Sequence, residues 1–169
     1  MFGTDIAIDL GTAQLKLFRK NKGIIVDEPS IVAVDLASGR ITAYGKKAYD
    51  MIGKTSGKVA VVGPMRRGAV SDFSMAEQLM RHYLRQIRES HLIMPRAVVT
   101  IPCVLTQVER RSLTDVIAAS GVRCAEMTRV SYATPNESSV SHAFLTSGQS
   151  ESEPITMPTI ALSIIQILL

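Results

Sequence analysis

The chain has 169 residues, of which 46% are apolar and 20% charged, with a formal net charge of +4. That balance excludes a wholly disordered chain, a collagen and a coiled coil, and leaves room for one ordinary domain or two small ones sharing a sheet. With no tryptophan and 5% aromatic residues the core falls to aliphatic side chains, and so mild a basic bias predicts no nucleic-acid partner.

Ile6, Ile8 and Leu10 alternate with Asp5, Ala7 and Asp9, which predicts a strand ending at Asp9. Gly11 and Thr12 suit a tight turn, and Leu15 and Leu17 then alternate with Lys16 and Phe18 in a second strand. After the turn Asn21-Lys22-Gly23, Ile24-Ile25-Val26 completes an antiparallel meander whose first turn carries small residues and follows an aspartate. Ser30–Val34 and Ile41–Tyr44 are further strands around the polar turn Asp35–Gly39, a short helix is expected over Ala48–Ile52, and Val59–Val62 is a short strand.

A long helix is predicted from about Ser74 to Ser90, with Ser74 and Glu77 at capping-box spacing. Its apolar face repeats through Met75, Leu79, Met80, Tyr83 and Leu84, with Arg81 and Arg85 turned away; the methionines are packing residues. Ala97–Ile101 is the nearly all-apolar run of a buried parallel strand, stopped by Pro102. Thr106 and Glu109 form a second capping box before a helix that Gly121 terminates. Strand–helix–strand–helix order makes the class α/β.

All 19 lysines and arginines lie at or before Arg129, and the last 40 residues hold three acidic side chains as their formal charges. A flexible polar stretch with an adhesive apolar end is expected there, its final TIALSIIQILL being too short to cross a bilayer. The opening MFGTDIAIDLG lacks a basic region before its apolar run, so no signal peptide is expected. Cys103 and Cys124 read as free thiols in a reducing compartment, and His82, His91 and His142 have no metal-ligand spacing.

The chemistry concentrates at Asp9-Leu10-Gly11-Thr12. Amides of a small turn face phosphate oxygens readily, Gly11 permits close approach, and Thr12 adds a hydroxyl donor. A carboxylate beside polyphosphate is useful when it holds hydrated Mg²⁺ between the two anions. Lys16 reads as a solvated lysine on the outer face of its strand, with a phosphate-facing point charge as the sharper alternative. Neither a Walker A sequence nor a GxGxxG fingerprint is present. Arg66-Arg67 and Arg110-Arg111 read as solvated basic patches.

Several long motifs in order then carry a resemblance: DIAIDLGTA at 5–13, KGIIVDEPSIVAVD at 22–35, AYGKKAYDMIGKT at 43–55, GPMRRGAVSDF at 63–73, PRAVVTIPCVLTQVERRS at 95–112 and AASGVR at 118–123. Together they resemble the bacterial actin-like cell-shape proteins of the MreB/Mbl family. The resemblance implies a partial actin-like, RNase-H-like ATPase fold over residues 4–123, with 23–71 as a small inserted subdomain and 124–169 as a divergent, partly flexible tail. It implies ATP and Mg²⁺ as cofactors, with Asp9 as the Mg²⁺ organiser and Gly11, Thr12, Ala13 and Gln14 as the first phosphate loop. Gln14 stands where the family commonly has asparagine, and Lys16 where it has an apolar residue.

The family's water-activating glutamate segment has no counterpart in CAEMTRVSYATPNESS, where Arg129 and Val130 lie near the expected glutamate pair. No residue is assigned a catalytic role, and weak or absent ATP hydrolysis is expected. The implied function is cytoskeletal, in maintaining cell shape, with self-association or binding to family homologues and contact with inner-membrane cell-shape machinery. The implied location is the cytoplasm, peripheral at the inner membrane face. Two other readings stand beside it: a soluble Mg-ATP-dependent metabolic enzyme of the same superfamily, and a non-catalytic truncated interaction fragment. Without the second lobe to cover its sheet, the chain is expected to associate through apolar surfaces more readily than through ordered filament contacts.

Overall fold

The computed structural model describes residues 5–19, 22–55, 57–87, 95–102 and 104–130, the last seven of these by backbone alone. Strands β1 (Asp5–Leu10), β2 (Gln14–Arg19) and β3 (Gly23–Pro29) form the expected antiparallel meander. Ile6, Ile8 and Leu10 face the main core, while Ala7 packs with Phe18 on the opposite face. A register shift between Leu17 and Phe18 on β2 leaves Ile25 of β3 without an opposite residue. Two short sheets follow, one of β4 (Val32–Asp35), β5 (Ile41–Tyr44) and β6 (Val59–Val62), the other of β7 (Met65–Arg66) and β8 (Ala69–Val70).

Helix α1 spans Gly45–Tyr49, between β5 and β6, so the helix expected over Ala48–Ile52 starts and ends earlier. Two local contacts move it. Gly45 has φ +56, which lets the chain turn directly out of β5, and the Lys46 N–H donates to Glu28 Oε2 at 2.7 Å, satisfying a helix-start amide. Turns then carry the chain to Gly53, whose φ of +72 suits glycine.

Helix α2 (Phe73–Ile87) is capped by Asp72 and not by the predicted Ser74–Glu77 box. The Asp72 carboxylate accepts the Met75 N–H at 2.8 Å and its carbonyl accepts the Ala76 N–H at 3.0 Å, which places Ser74 already inside the first turn. Ser74 and Glu77 turn instead to Gln78 and Arg81, one turn further on. Arg81 also donates to the Ala119 carbonyl at 2.7 Å, tying α2 to the end of α3 (Gln107–Ala119). There the Thr106–Glu109 capping box is present as expected, and Gly121 follows the helix with φ +92. The expected continuation of α2 to Ser90 lies outside the described residues, as do Cys103, His91 and His142.

Strand β9 (Arg96–Pro102) lies parallel to β1, and β10 (Arg123–Val130) parallel to β9, giving the sheet order β10-β9-β1-β2-β3. Val98 and Val99 point to opposite faces and both are buried, which explains the unbroken apolar run of β9. Residues Leu79, Met80 and Leu84 of α2 and Leu113, Val116 and Ile117 of α3 close the core over Ile6 and Ile8. Within segment 23–71, β3 belongs to this main sheet and the three-stranded sheet occupies residues 32–62; the main sheet itself continues to Val130. Among the described residues no helix is long and apolar enough to cross a membrane.

An aromatic seam joins the three-stranded sheet to α2. The Tyr44 ring stacks on His82 with centroids 4.1 Å apart, and His82 meets Tyr83 edge-on at 4.9 Å. Tyr83 hydrogen-bonds Glu28, the same carboxylate that holds the start of α1. Burial, then the charge and hydrogen bond of Glu28, push the Tyr83 phenol well above its ordinary pKa.

Candidate functional site

β1 ends in the loop Gly11–Ala13, and the sheet register determines what surrounds it. Asp9 lies opposite Lys16 on β2 and beside Thr100 on β9, while Lys16 lies opposite Asp27 on β3. In-register residues share a face, so Asp27, Lys16, Asp9 and Thr100 form a polar row across four strands on the side away from the helices. The β10 backbone places Thr128 at the same level.

Asp9 is held within this row. The Thr100 hydroxyl donates to Asp9 Oδ1 at 3.0 Å. Burial raises the Asp9 carboxyl above its ordinary pKa, opposed by the Thr100 hydrogen bond and by the Lys16 charge. A desolvated carboxylate so weakly compensated is a good partner for a further cation. Lys16 is not the solvated lysine expected from its strand position: its ammonium lies 3.2 Å from Asp27 Oδ2 and it is about a quarter exposed. The register of β2 against β3 sets that pairing, which no spacing within β2 predicts.

The loop itself is open. Thr12, Ala13 and Gln14 are exposed and Gly11 is half-buried. The Gly11 N–H donates to the Gln14 carbonyl at 3.0 Å, and a Cβ on Gly11 would sit 2.9 Å from that oxygen. Glycine is therefore required here by a close backbone approach, and its amide is already used. The Ala13 carbonyl accepts from Ser30 N–H at 3.0 Å, while the N–H groups of Thr12 and Ala13 have no partner among the described residues. Thr12 Oγ1 accepts the Gly68 N–H at 2.8 Å, leaving its own O–H to donate elsewhere.

The structure thus brings together Asp9, Gly11, Thr12, Ala13 and Gln14, and adds three features that the sequence reading left aside. Thr100 was signalled by a lone hydroxyl inside an apolar strand. Asp27 had no signal short of the register. The third is the hairpin of β7 and β8, read as part of a solvated basic patch, whose tip at Arg67-Gly68 rests on the loop through Thr12. Among the described residues no three His, Cys, Asp or Glu side chains converge as a metal cage. One carboxylate beside a loop with exposed amides still fits Mg²⁺, which keeps several waters and is commonly held by one or two carboxylates together with phosphate oxygens.

A family model described as MreB/Mbl protein matches residues 3–134. The cell shape-determining protein Mbl of Bacillus subtilis is 36% identical over 122 residues, covering 72% of this chain and 37% of that protein. The cell shape-determining protein MreB of Escherichia coli K12 is 36% identical over 129 residues, covering 73% and 37%. The chain thus spans less than two fifths of the length of these curated relatives. Among solved structures, MreB5 of Spiroplasma citri bound to ADP superposes with a TM-score of 0.69 at 28% identity, covering 75% of this chain and 38% of that one. A MamK double helical filament superposes with a TM-score of 0.62 at 16% identity, over 76% and 41% of the two chains, a likeness of fold alone.

Proposed function

The chain belongs to the MreB/Mbl family, and from that premise we propose that it is an actin-like cytoskeletal protein of cell-shape maintenance whose described residues supply one side of a Mg²⁺–ATP site. The observation that carries this reading is the strand-end Asp9, raised in pKa by burial, beside a loop with two uncommitted, exposed amides.

Asp9 would hold hydrated Mg²⁺, which would supply the positive charge that offsets the phosphates beside a carboxylate. Thr100 holds Asp9 through one carboxylate oxygen, and among the described residues the other accepts no hydrogen bond. The Thr12 and Ala13 amides and the Thr12 hydroxyl face the phosphate oxygens; Gly11 shapes the loop and its amide does not donate outward. Gln14 contributes its carbonyl to the loop and its side chain at the periphery. That MreB5 of Spiroplasma citri has been solved bound to ADP and to AMPPNP supports a nucleotide as the ligand. With Arg129 and Val130 standing near the position of the family's glutamate pair, weak hydrolysis is expected and the role is binding and assembly, with a second copy or a family homologue as partner. We place the protein in the cytoplasm, with the inner membrane face as its working surface.

Titrating the purified chain with ATP in Mg²⁺ and in EDTA tests this, with phosphate release and electron microscopy alongside. Saturable, Mg²⁺-dependent binding that Asp9→Ala abolishes is the expected result. Binding indifferent to both Mg²⁺ and Asp9→Ala would sink the site, and sugar-dependent phosphate transfer without assembly would instead favour a metabolic enzyme.

A further inference from the structure

Among the described residues, Arg67 is the one non-glycine with a positive φ, at +52, and Gly68 follows at +79. The two residues connect β7 to β8, so both central positions of this hairpin turn are left-handed. Such turns favour asparagine or aspartate followed by glycine, since a longer side chain gains nothing locally from the left-handed region. Arginine there breaks a local rule, and broken local rules concentrate where function demands the side chain.

The tip is not free to wander. Gly68 donates to Thr12 at 2.8 Å, and a Cβ on Gly68 would meet Pro102 Cγ at 2.5 Å, so the turn is wedged between the loop after β1 and the end of β9. Arg67, the residue before this anchor, is exposed, and among the described residues it has no ion pair. The nearby cation Lys16 is committed to Asp27. The loop therefore offers amides and a hydroxyl to a polyphosphate but no uncommitted positive charge of its own.

We propose that Arg67 is that charge: a binding residue whose guanidinium contacts the phosphate oxyanions of the nucleotide from the tip of the hairpin. It makes the β7–β8 hairpin a third wall of the phosphate site and couples its position to the nucleotide through Thr12. The inference rests on the ATP-site reading above.

Calorimetric titration of the full chain with Mg²⁺–ATP, for wild type, Arg67→Asn and Arg67→Lys, tests it together with thermal melts. Asparagine relieves the turn, so R67N should raise the Tm by about 2 °C. Losing the charge-assisted hydrogen bonds should at the same time weaken ATP about tenfold, with R67K in between. A stability gain with loss of affinity is a combination that a purely structural arginine does not produce. Unchanged affinity in R67N, with wild-type binding still abolished by Asp9→Ala, would overturn the role of Arg67 and leave the ATP site standing. Affinity and Tm falling together in R67N would also overturn it, and a wild type without saturable ATP binding would overturn both readings.

Discussion

The aromatic seam and the loop after β1 both attach to the main sheet, and they are built in opposite ways. At the seam the central groups each hold two partners: Glu28 takes both the Lys46 amide and the Tyr83 phenol, and His82 touches both Tyr44 and Tyr83. At the loop, among the described residues, side-chain support comes from one bond, Gly68 to Thr12, and the outward amides are uncommitted. Rigidity is spent where the small sheet must keep its angle to α2, and donors are kept open where an anion arrives. A loop of this kind can be selective because it is carried by a packed, hydrogen-bonded frame.

Gly45→Ala should break the contrast most severely. Its Cβ would fall 1.9 Å from Tyr83 Oη and 2.5 Å from Glu28 Oε2, at a backbone φ of +56 that disfavours side chains. A loss of about 3 kcal/mol is expected in urea unfolding, and an unchanged midpoint would show that the seam is loose. Tyr83→Phe, which removes one of the two bonds to Glu28, should cost about 1.5 kcal/mol. Thr12→Val should cost somewhat less, about 1 kcal/mol, because the Thr12 hydroxyl is a neutral acceptor where Glu28 is a charged one, although the part-buried Gly68 N–H loses its partner. Its larger signature should be faster amide exchange at Gly68, and equal stability losses in the two variants would mean that loop and seam are held alike.

Smaller effects follow from charge. Asp9 has a raised folded-state pKa, so the folded chain binds its proton more readily than the unfolded chain. That contribution to stability is present below the unfolded value of 3.8 and is lost as pH rises through the folded value. Asp9→Asn should therefore be more stable than wild type at pH 7, with the gap closing as pH falls, even as Mg²⁺–ATP binding is lost. A less stable D9N at pH 7 would mean that Asp9 supports the fold and is not an ionised group held there for a ligand. His82 shows the opposite sign and the smallest effect: burial, then the like charges of Lys47 and Arg85, lower its pKa against the pull of Glu28. Its contribution is present above the unfolded value of 6.5 and is lost as pH falls below it. Wild type should lose slightly more Tm between pH 7 and pH 5 than His82→Gln, and identical profiles would remove His82 from the seam's energetics.

Local pattern was enough for much of the frame. Alternation in Ile6, Ile8 and Leu10 marked the core face of β1, and Thr106 with Glu109 marked the start of α3, because strand period and helix-start amides are satisfied within a few residues. Ser74 and Glu77 had the same spacing and failed, since Asp72 lies nearer the amides that need a partner. The Asp9–Gly11–Thr12 cluster was legible from the chemistry of its residues and from the family motifs around them.

What surrounds that cluster was settled only by tertiary structure. Lys16 and Asp27 pair across 11 positions, Asp9 and Thr100 across 91, and Thr12 and Gly68 across 56. Sequence determines which residues carry charge, hydroxyls and permissive backbone, because those are properties of single side chains and short spacings. It does not determine which of them meet, because strand order and register are set by burying the shared apolar core of β1, β9, α2 and α3, and the polar row comes into line as a consequence of that packing.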